Sequence, residues 1–164
     1  MAIEYTNIDE VLFKLSHFDP SYKDSKNCNL LDYIILNTLF NKYNEYIDVH
    51  YLRKDIFENF KIEYDEIEIN ESLKKLKNNG DIFKNGTNKK HSKLEVAISE
   101  TKYKEIHNKV EEMNRLELAV FDKWISDLKI TYINDIKIIE EKCDYLDDEI
   151  KEEYDFSNAK YGSS

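Results

Sequence analysis

Lysine side chains crowd one short stretch of the sequence, residues 70–93. This stretch contains seven lysines and two acidic residues, whereas the whole chain has a formal net charge of −10. Exposed cations beside small polar side chains are the groups that bind nucleic-acid phosphates. The sequence therefore predicts a phosphate-binding surface made of Lys74, Lys75, Lys77, Asn78, Lys84, Lys89, Lys90 and Lys93.

The residues just before these lysines are acidic. Asp65, Glu66, Glu68 and Glu71 lie at the start of the helix that carries the first lysines, and they would repel a phosphate group. The lysine stretch also contains no arginine, the side chain that most often recognises guanine. A solvated, lysine-rich hairpin that keeps an edge strand soluble is therefore the alternative interpretation.

A second charged surface is expected towards the C-terminus, where acidic residues dominate. Such a surface could imitate nucleic-acid phosphates or bind a basic partner, although a solvated outer helix face is the plainer interpretation. Its members are Glu111, Glu112, Asp144, Asp147, Asp148, Glu149, Glu152 and Glu153.

The residue types that support catalysis are scattered. The four histidines show no HExxH spacing, no GxSxG motif occurs, and three glycines cannot form a dinucleotide-binding loop. Cys28 and Cys143 lie far apart, without the spacing of zinc ligands. The sequence therefore predicts no enzyme, no metal site and no cofactor.

The spacing of apolar residues predicts the elements that position the lysines. Apolar stripes of helical period run through residues 8–16, 30–44, 50–60 and 67–79, and Gly80 lies where a helix end favours a positive φ. Short β-prone segments lie at residues 46–49, 82–83 and 94–98, the last two on either side of a turn that begins at Asn85. We therefore expect a mainly α chain with a small β-hairpin.

The order helix, strand, helix, helix, hairpin resembles the winged helix-turn-helix superfamily over residues 28–100. The leucine spacing of Leu73 and Leu76, followed by Gly80 and Ile82, is similar to that superfamily's pattern before the wing, and the bacterial PadR and MarR regulators have a similar layout. The resemblance implies that the third helix enters the major groove while the wing touches the DNA backbone. It also implies a non-enzymatic, DNA-binding regulator of transcription.

Two long helices are expected beyond the hairpin. One begins after Ser99, approaches 30 residues and is interrupted at residues 130–134, and a second covers residues 134–153. Their apolar stripes could pair with each other, with the core or with a second copy of the chain. We expect a homodimer, because two linked half-sites bind more tightly than one. Its interface would contain Met113, Val120, Phe121, Trp124, Leu128, Ile136, Ile139 and Leu146.

These predictions divide the chain into four segments. Residues 1–27 form an N-terminal helix and loop, 28–100 the winged helix domain, 101–156 a helical extension and 157–164 a flexible tail. No 18-residue apolar run and no secretion signal occur, so we expect a cytoplasmic protein that does not enter a membrane. Two functions are open: a dimeric DNA-binding regulator, or an acidic winged helix that binds a protein with a basic surface, as a phage-type inhibitor would.

Overall fold

The computed structural model describes residues 7–16, 29–85, 94–116 and 118–142. Within them the chain is mainly helical and has a small three-stranded antiparallel sheet, as the sequence predicted. The elements in chain order are α1 (Asn7–Lys14), α2 (Leu30–Phe40), β1 (Ile47–Asp48), α3 (Val49–Phe60), α4 (Glu66–Asn78), β2 (Ile82–Asn85), β3 (Glu95–Ile98), α5 (Glu100–Asn114) and α6 (Leu118–Thr131). A further helix, α7, is described over residues 133–142.

Helix α2 is the central element of the core. It carries apolar side chains around most of its circumference, and every residue from Leu30 to Leu39 is buried. This is expected for a helix that other elements enclose. A capping box begins it: the Asp32 N–H donates to Asn29 Oδ1 at 3.1 Å, and the Asn29 N–H donates to the Asp32 carboxylate at 2.9 Å. The polar start of α2 is thus satisfied inside the protein.

The sheet places β3 between β1 and β2. Val96 of β3 lies opposite Ile47 on one side and opposite Lys84 on the other, and both pairings are antiparallel. Val96 and Ile98 are buried, so the central strand faces the core. The predicted antiparallel pairing of β2 with β3 is confirmed, and β2 lies at an edge of the sheet. Residues 86–93, where the turn is predicted, lie outside the described residues.

A tight cap ends α4 and leads the chain into β2. The Gly80 N–H donates to the Lys77 carbonyl and the Asp81 N–H donates to the Leu76 carbonyl, each at 3.0 Å. This is a Schellman motif, which requires a residue of positive φ, and Gly80 has φ +76°. The helix end predicted from Gly80 is therefore confirmed, and it fixes the end of α4 beside β2.

One core joins the N-terminal, middle and C-terminal parts of the chain. Leu12 of α1 and Leu128 of α6 belong to the same buried cluster as α2, and so do Ile136 and Ile139 of α7. The Lys129 amine of α6 lies 2.7 Å from the Asp9 carboxylate of α1. None of the helices in the described ranges is long and apolar enough to cross a membrane.

The predicted helix of nearly 30 residues after Ser99 is wrong. Helix α5 begins after Ser99 but ends at Asn114, where the Arg115 and Leu116 N–H groups donate to carbonyls three residues back. The interruption predicted at residues 130–134 is confirmed: α6 ends at Thr131 and α7 follows from residue 133, where the Ile136 N–H donates to the Tyr132 carbonyl at 2.8 Å. A straight helix of 30 residues would be about 45 Å long. The turn at Arg115 instead returns α6 to pack on α1.

Candidate nucleic-acid interface

Three of the predicted lysines form a group at the junction of α4 and β2. Lys74 and Lys77 are exposed on the last turns of α4, and Lys84 is half-buried on the edge strand β2. We call Lys74, Lys77 and Lys84 the lysine group. Among the residues that the structure describes, no carboxylate forms an ion pair with any of the three. The group therefore presents uncompensated positive charge on one surface.

The pKa of Lys84 is lowered by burial and by the two neighbouring lysines. Burial lowers it below the ordinary value of 10.5, and the positive charges of Lys77 and Lys74 lower it further. A bound anion would stabilise the protonated amine and remove that repulsion.

We predict that Lys84 loses its proton at a lower pH than Lys104. The Lys104 amine lies 2.9 Å from the Glu100 carboxylate, and that hydrogen bond and charge raise its pKa. NMR titration of ¹³C-methylated lysines should therefore give a midpoint below 10.5 for Lys84 and above it for Lys104. Lys77→Gln should move the Lys84 midpoint upwards. An unchanged Lys84 midpoint in Lys77→Gln would contradict the close approach of these lysines.

Lys75 does not belong to this surface, which corrects the prediction. Its amine lies 3.0 Å from the carboxylate of Asp32, a fully buried residue of α2 that also accepts a hydrogen bond from Ser72 Oγ. Lys75 lines a pocket of about 240 Å³ between α2, α4 and α7. The ion pair fastens α4 to α2, and Lys75 is engaged within the protein. Asn78 is exposed at the end of α4; Lys89, Lys90 and Lys93 lie outside the described residues.

The acidic start of α4 is partly neutralised. The Asp65 carboxylate accepts a hydrogen bond from the Glu68 N–H at 2.8 Å, as an N-cap does. The Glu68 carboxylate accepts two hydrogen bonds from the Lys142 amine of α7, at 2.9 and 3.0 Å. Glu66 and Glu71 are exposed. The repulsion of phosphate at this end is therefore weaker than the sequence alone suggests.

The outward face of α4 also carries a residue that the sequence analysis missed. The Ile67 side chain is 70% exposed, on the side opposite the buried Ile69 and Leu73. An isoleucine out of phase with the apolar stripe was the signal in the sequence. We call Ile67, Asn70, Glu71, Lys74 and Asn78 the outer stripe, because their spacing of three and four residues places them on one exposed face.

The residues predicted to form a dimer interface are distributed differently. Met113, Leu128, Ile136 and Ile139 are buried within one chain, so they cannot form a surface for a second copy. Val120, Phe121 and Trp124 are half-buried on α6. The Phe121 ring lies 6.4 Å from that of Phe13, and the Lys109 amine lies 4.7 Å from the Trp124 ring. Leu146 lies outside the described residues, and the homodimer stays a prediction.

Among the described residues, no three His, Cys, Asp or Glu side chains lie close enough together to hold a metal ion. Ser72 Oγ donates a hydrogen bond to the Asp32 carboxylate, on the buried side of α4 that faces α2. Comparison of the chain with protein-family models, curated proteins and solved structures gives no match.

Proposed function

We propose that residues 29–98 form a winged helix and that the chain binds duplex DNA, as a non-enzymatic regulator of transcription does. The order of elements from α2 to β3, and a sheet in which β3 lies between β1 and β2, support this proposal. In that architecture α4 corresponds to the helix that enters the major groove, and the β2–β3 hairpin corresponds to the wing.

The lysine group is the single observation that carries the proposal. It lies where a winged helix meets the DNA backbone, at the end of the groove helix and on the first strand of the wing. The three amines lie close enough together for Lys77 and Lys74 to lower the pKa of Lys84. Phosphates of the DNA backbone would supply the negative charge that the group lacks, and the release of their counterions would favour binding.

The length of the outer stripe fits this arrangement. From Ile67 to Asn78 the helix rises by about 16 Å, while the major groove is about 12 Å wide. The first turns of α4 can therefore lie over base edges while Lys74 and Lys77 reach phosphates at the wall of the groove. The pairing of Glu68 with Lys142 within the protein removes one negative charge from this end of α4 and supports the same orientation.

We predict that duplex DNA perturbs the backbone amide resonances of residues 66–85 more than those of α5 and α6. The contact surface consists of α4 and β2, and only nearby amides sense the bound phosphates. The measurement is an NMR titration of ¹⁵N-labelled protein with a random-sequence duplex at low salt. The Lys74→Gln/Lys77→Gln variant is the control, and its perturbations should shrink at the same duplex concentration.

Two outcomes of this titration would contradict the proposal. Perturbations confined to α5 and α6 would place the ligand near Glu111 and Glu112. Unchanged resonances would show that duplex DNA does not bind. The first result would overturn the assignment of α4 and β2 as the contact surface, and the second would favour the acidic, protein-binding alternative.

A further inference from the structure

The first two turns of α4 present three side chains of different chemistry to solvent. Ile67 is apolar, Asn70 is an amide and Glu71 is a carboxylate, and all three are exposed. No other described residue forms a hydrogen bond or ion pair with any of them. The opposite side of the helix is buried through Ile69 and Leu73. Packing among the described residues therefore leaves all three accessible to a ligand.

Ile67 and Asn70 match two different groups on the edge of an A·T base pair. An isoleucine side chain can make only apolar contacts, and the thymine methyl is the apolar group of the major groove. An asparagine amide both donates and accepts, so it can form two hydrogen bonds to adenine N6 and N7. Each side chain thus has a specific counterpart in A·T-containing DNA.

The spacing of the two residues matches the spacing of base pairs. Three residues of α-helix rise by about 4.5 Å, and consecutive base pairs of one strand are about 3.4 Å apart. Ile67 and Asn70 can therefore contact the same or neighbouring base pairs. A helix that presents both residues would favour a short run of A·T pairs.

Glu71 would act by excluding a base, whereas Ile67 and Asn70 favour particular bases. A carboxylate only accepts hydrogen bonds, so it can pair with the N4 amino group of cytosine. Guanine presents two acceptors, N7 and O6, in the major groove, and these would face the carboxylate without a proton between them. Glu71 would therefore exclude guanine at the base position that it faces.

We infer that α4 selects duplexes in which a thymine methyl and an adenine lie in the same or adjacent base pairs, with guanine excluded opposite Glu71. This inference rests on the proposed binding of duplex DNA and adds the chemical class of its target site. Ile67 contacts the thymine methyl, Asn70 recognises the adenine, and the lysine group holds the flanking phosphates.

The experiment begins with selection of bound sequences from a random duplex pool by the full chain. The selected duplex is then remade with deoxyuridine in place of thymidine, which removes the methyl group and leaves the base pairing intact. The affinity of the unaltered protein should fall by about threefold, as expected for loss of one apolar contact. Ile67→Ala should bind both duplexes equally, because its contact to the methyl is already lost.

Two further variants test whether the deoxyuridine effect is specific to the contact between Ile67 and the thymine methyl, and whether Asn70 recognises the adenine. Ile130→Ala removes an isoleucine that is 76% exposed on α6, and it should keep the full deoxyuridine effect. In Asn70→Ala, the ratio of affinities for duplexes with and without the adenine should fall by about tenfold, the value of one bidentate contact. The affinity of Ile130→Ala for random duplex should stay within about twofold of that of the unaltered protein, since Ile130 lies on α6, outside the proposed contact surface.

The results distinguish this inference from the proposed function. Binding of random duplex without an enriched sequence would overturn the inference alone, and so would a deoxyuridine effect that Ile67→Ala retains. Failure to bind any duplex at low salt would overturn the proposed function and the inference with it.

Discussion

Replacing Asp32 with alanine is expected to lower the free energy of unfolding by about 3 kcal/mol or more, because it removes a fully buried carboxylate whose hydrogen-bond donors would lose their acceptor. Asp32 is fully buried, and its carboxylate accepts hydrogen bonds from the Asn29 N–H and from Ser72 Oγ. The Lys75 amine lies 3.0 Å away. Alanine would leave these donors without that acceptor and would remove half of the capping box of α2.

Glu68→Ala is the matched control for this prediction. Glu68 occupies the N3 position in the capping box of α4, as Asp32 does in that of α2. Its side chain, however, is 40% exposed and pairs with Lys142 at the surface. Its loss should cost about 1 kcal/mol, the usual value for a cap and a surface ion pair. Urea denaturation followed by circular dichroism measures both variants. Equal losses would show that the buried carboxylate adds nothing beyond its capping role.

The main elements of the fold could be predicted from the sequence because they depend on local patterns. The stripe Ile69, Leu73 and Leu76 predicted α4, and Gly80 predicted its end, since only the phase of apolar residues and one backbone conformation were needed. The β2–β3 hairpin followed from two β-prone segments on either side of a predicted turn, although β2 continues to Asn85, which pairs with Glu95. These signals do not depend on contacts with distant parts of the chain.

The remaining features depend on distant contacts. Nothing near Lys75 in the sequence indicates that it pairs with Asp32, more than 40 residues away. The turn at Arg115 has no glycine or proline to mark it, and it results from the packing of α6 on α1. Lys142 neutralises Glu68 from the other end of the chain. Spacing along the sequence could not separate Lys75 from the free cations Lys74 and Lys77.

The double charge reversal Lys74→Glu/Lys77→Glu is expected to weaken binding to random duplex DNA by about 100-fold or more at low salt, because two phosphate contacts become repulsive. Both side chains are exposed and the Lys75–Asp32 pair is untouched, so the fold should persist. The expected loss in affinity exceeds that of any single base contact, since phosphate contacts supply most of the binding to random sequence.

The matched control reverses two exposed lysines elsewhere, Lys104 of α5 and Lys123 of α6. Lys104→Glu/Lys123→Glu changes the net charge of the chain by the same amount, but it leaves α4 and β2 unchanged. We expect it to weaken binding by less than about fivefold, because only long-range repulsion increases. Equal losses in the two double variants would mean that total charge, rather than the lysine group, determines binding.

A salt titration of random-duplex binding tests the central claim most directly. Each phosphate contact adds about −0.9 to the slope of log affinity against log salt, so the lysine group alone predicts a slope of about −3 or steeper. Lys74→Gln/Lys77→Gln should make that slope shallower by about two, because two contacts are lost. If the unaltered protein retained no duplex at the lowest salt, or if the two glutamines left the slope unchanged, the assignment of this surface to DNA would be contradicted.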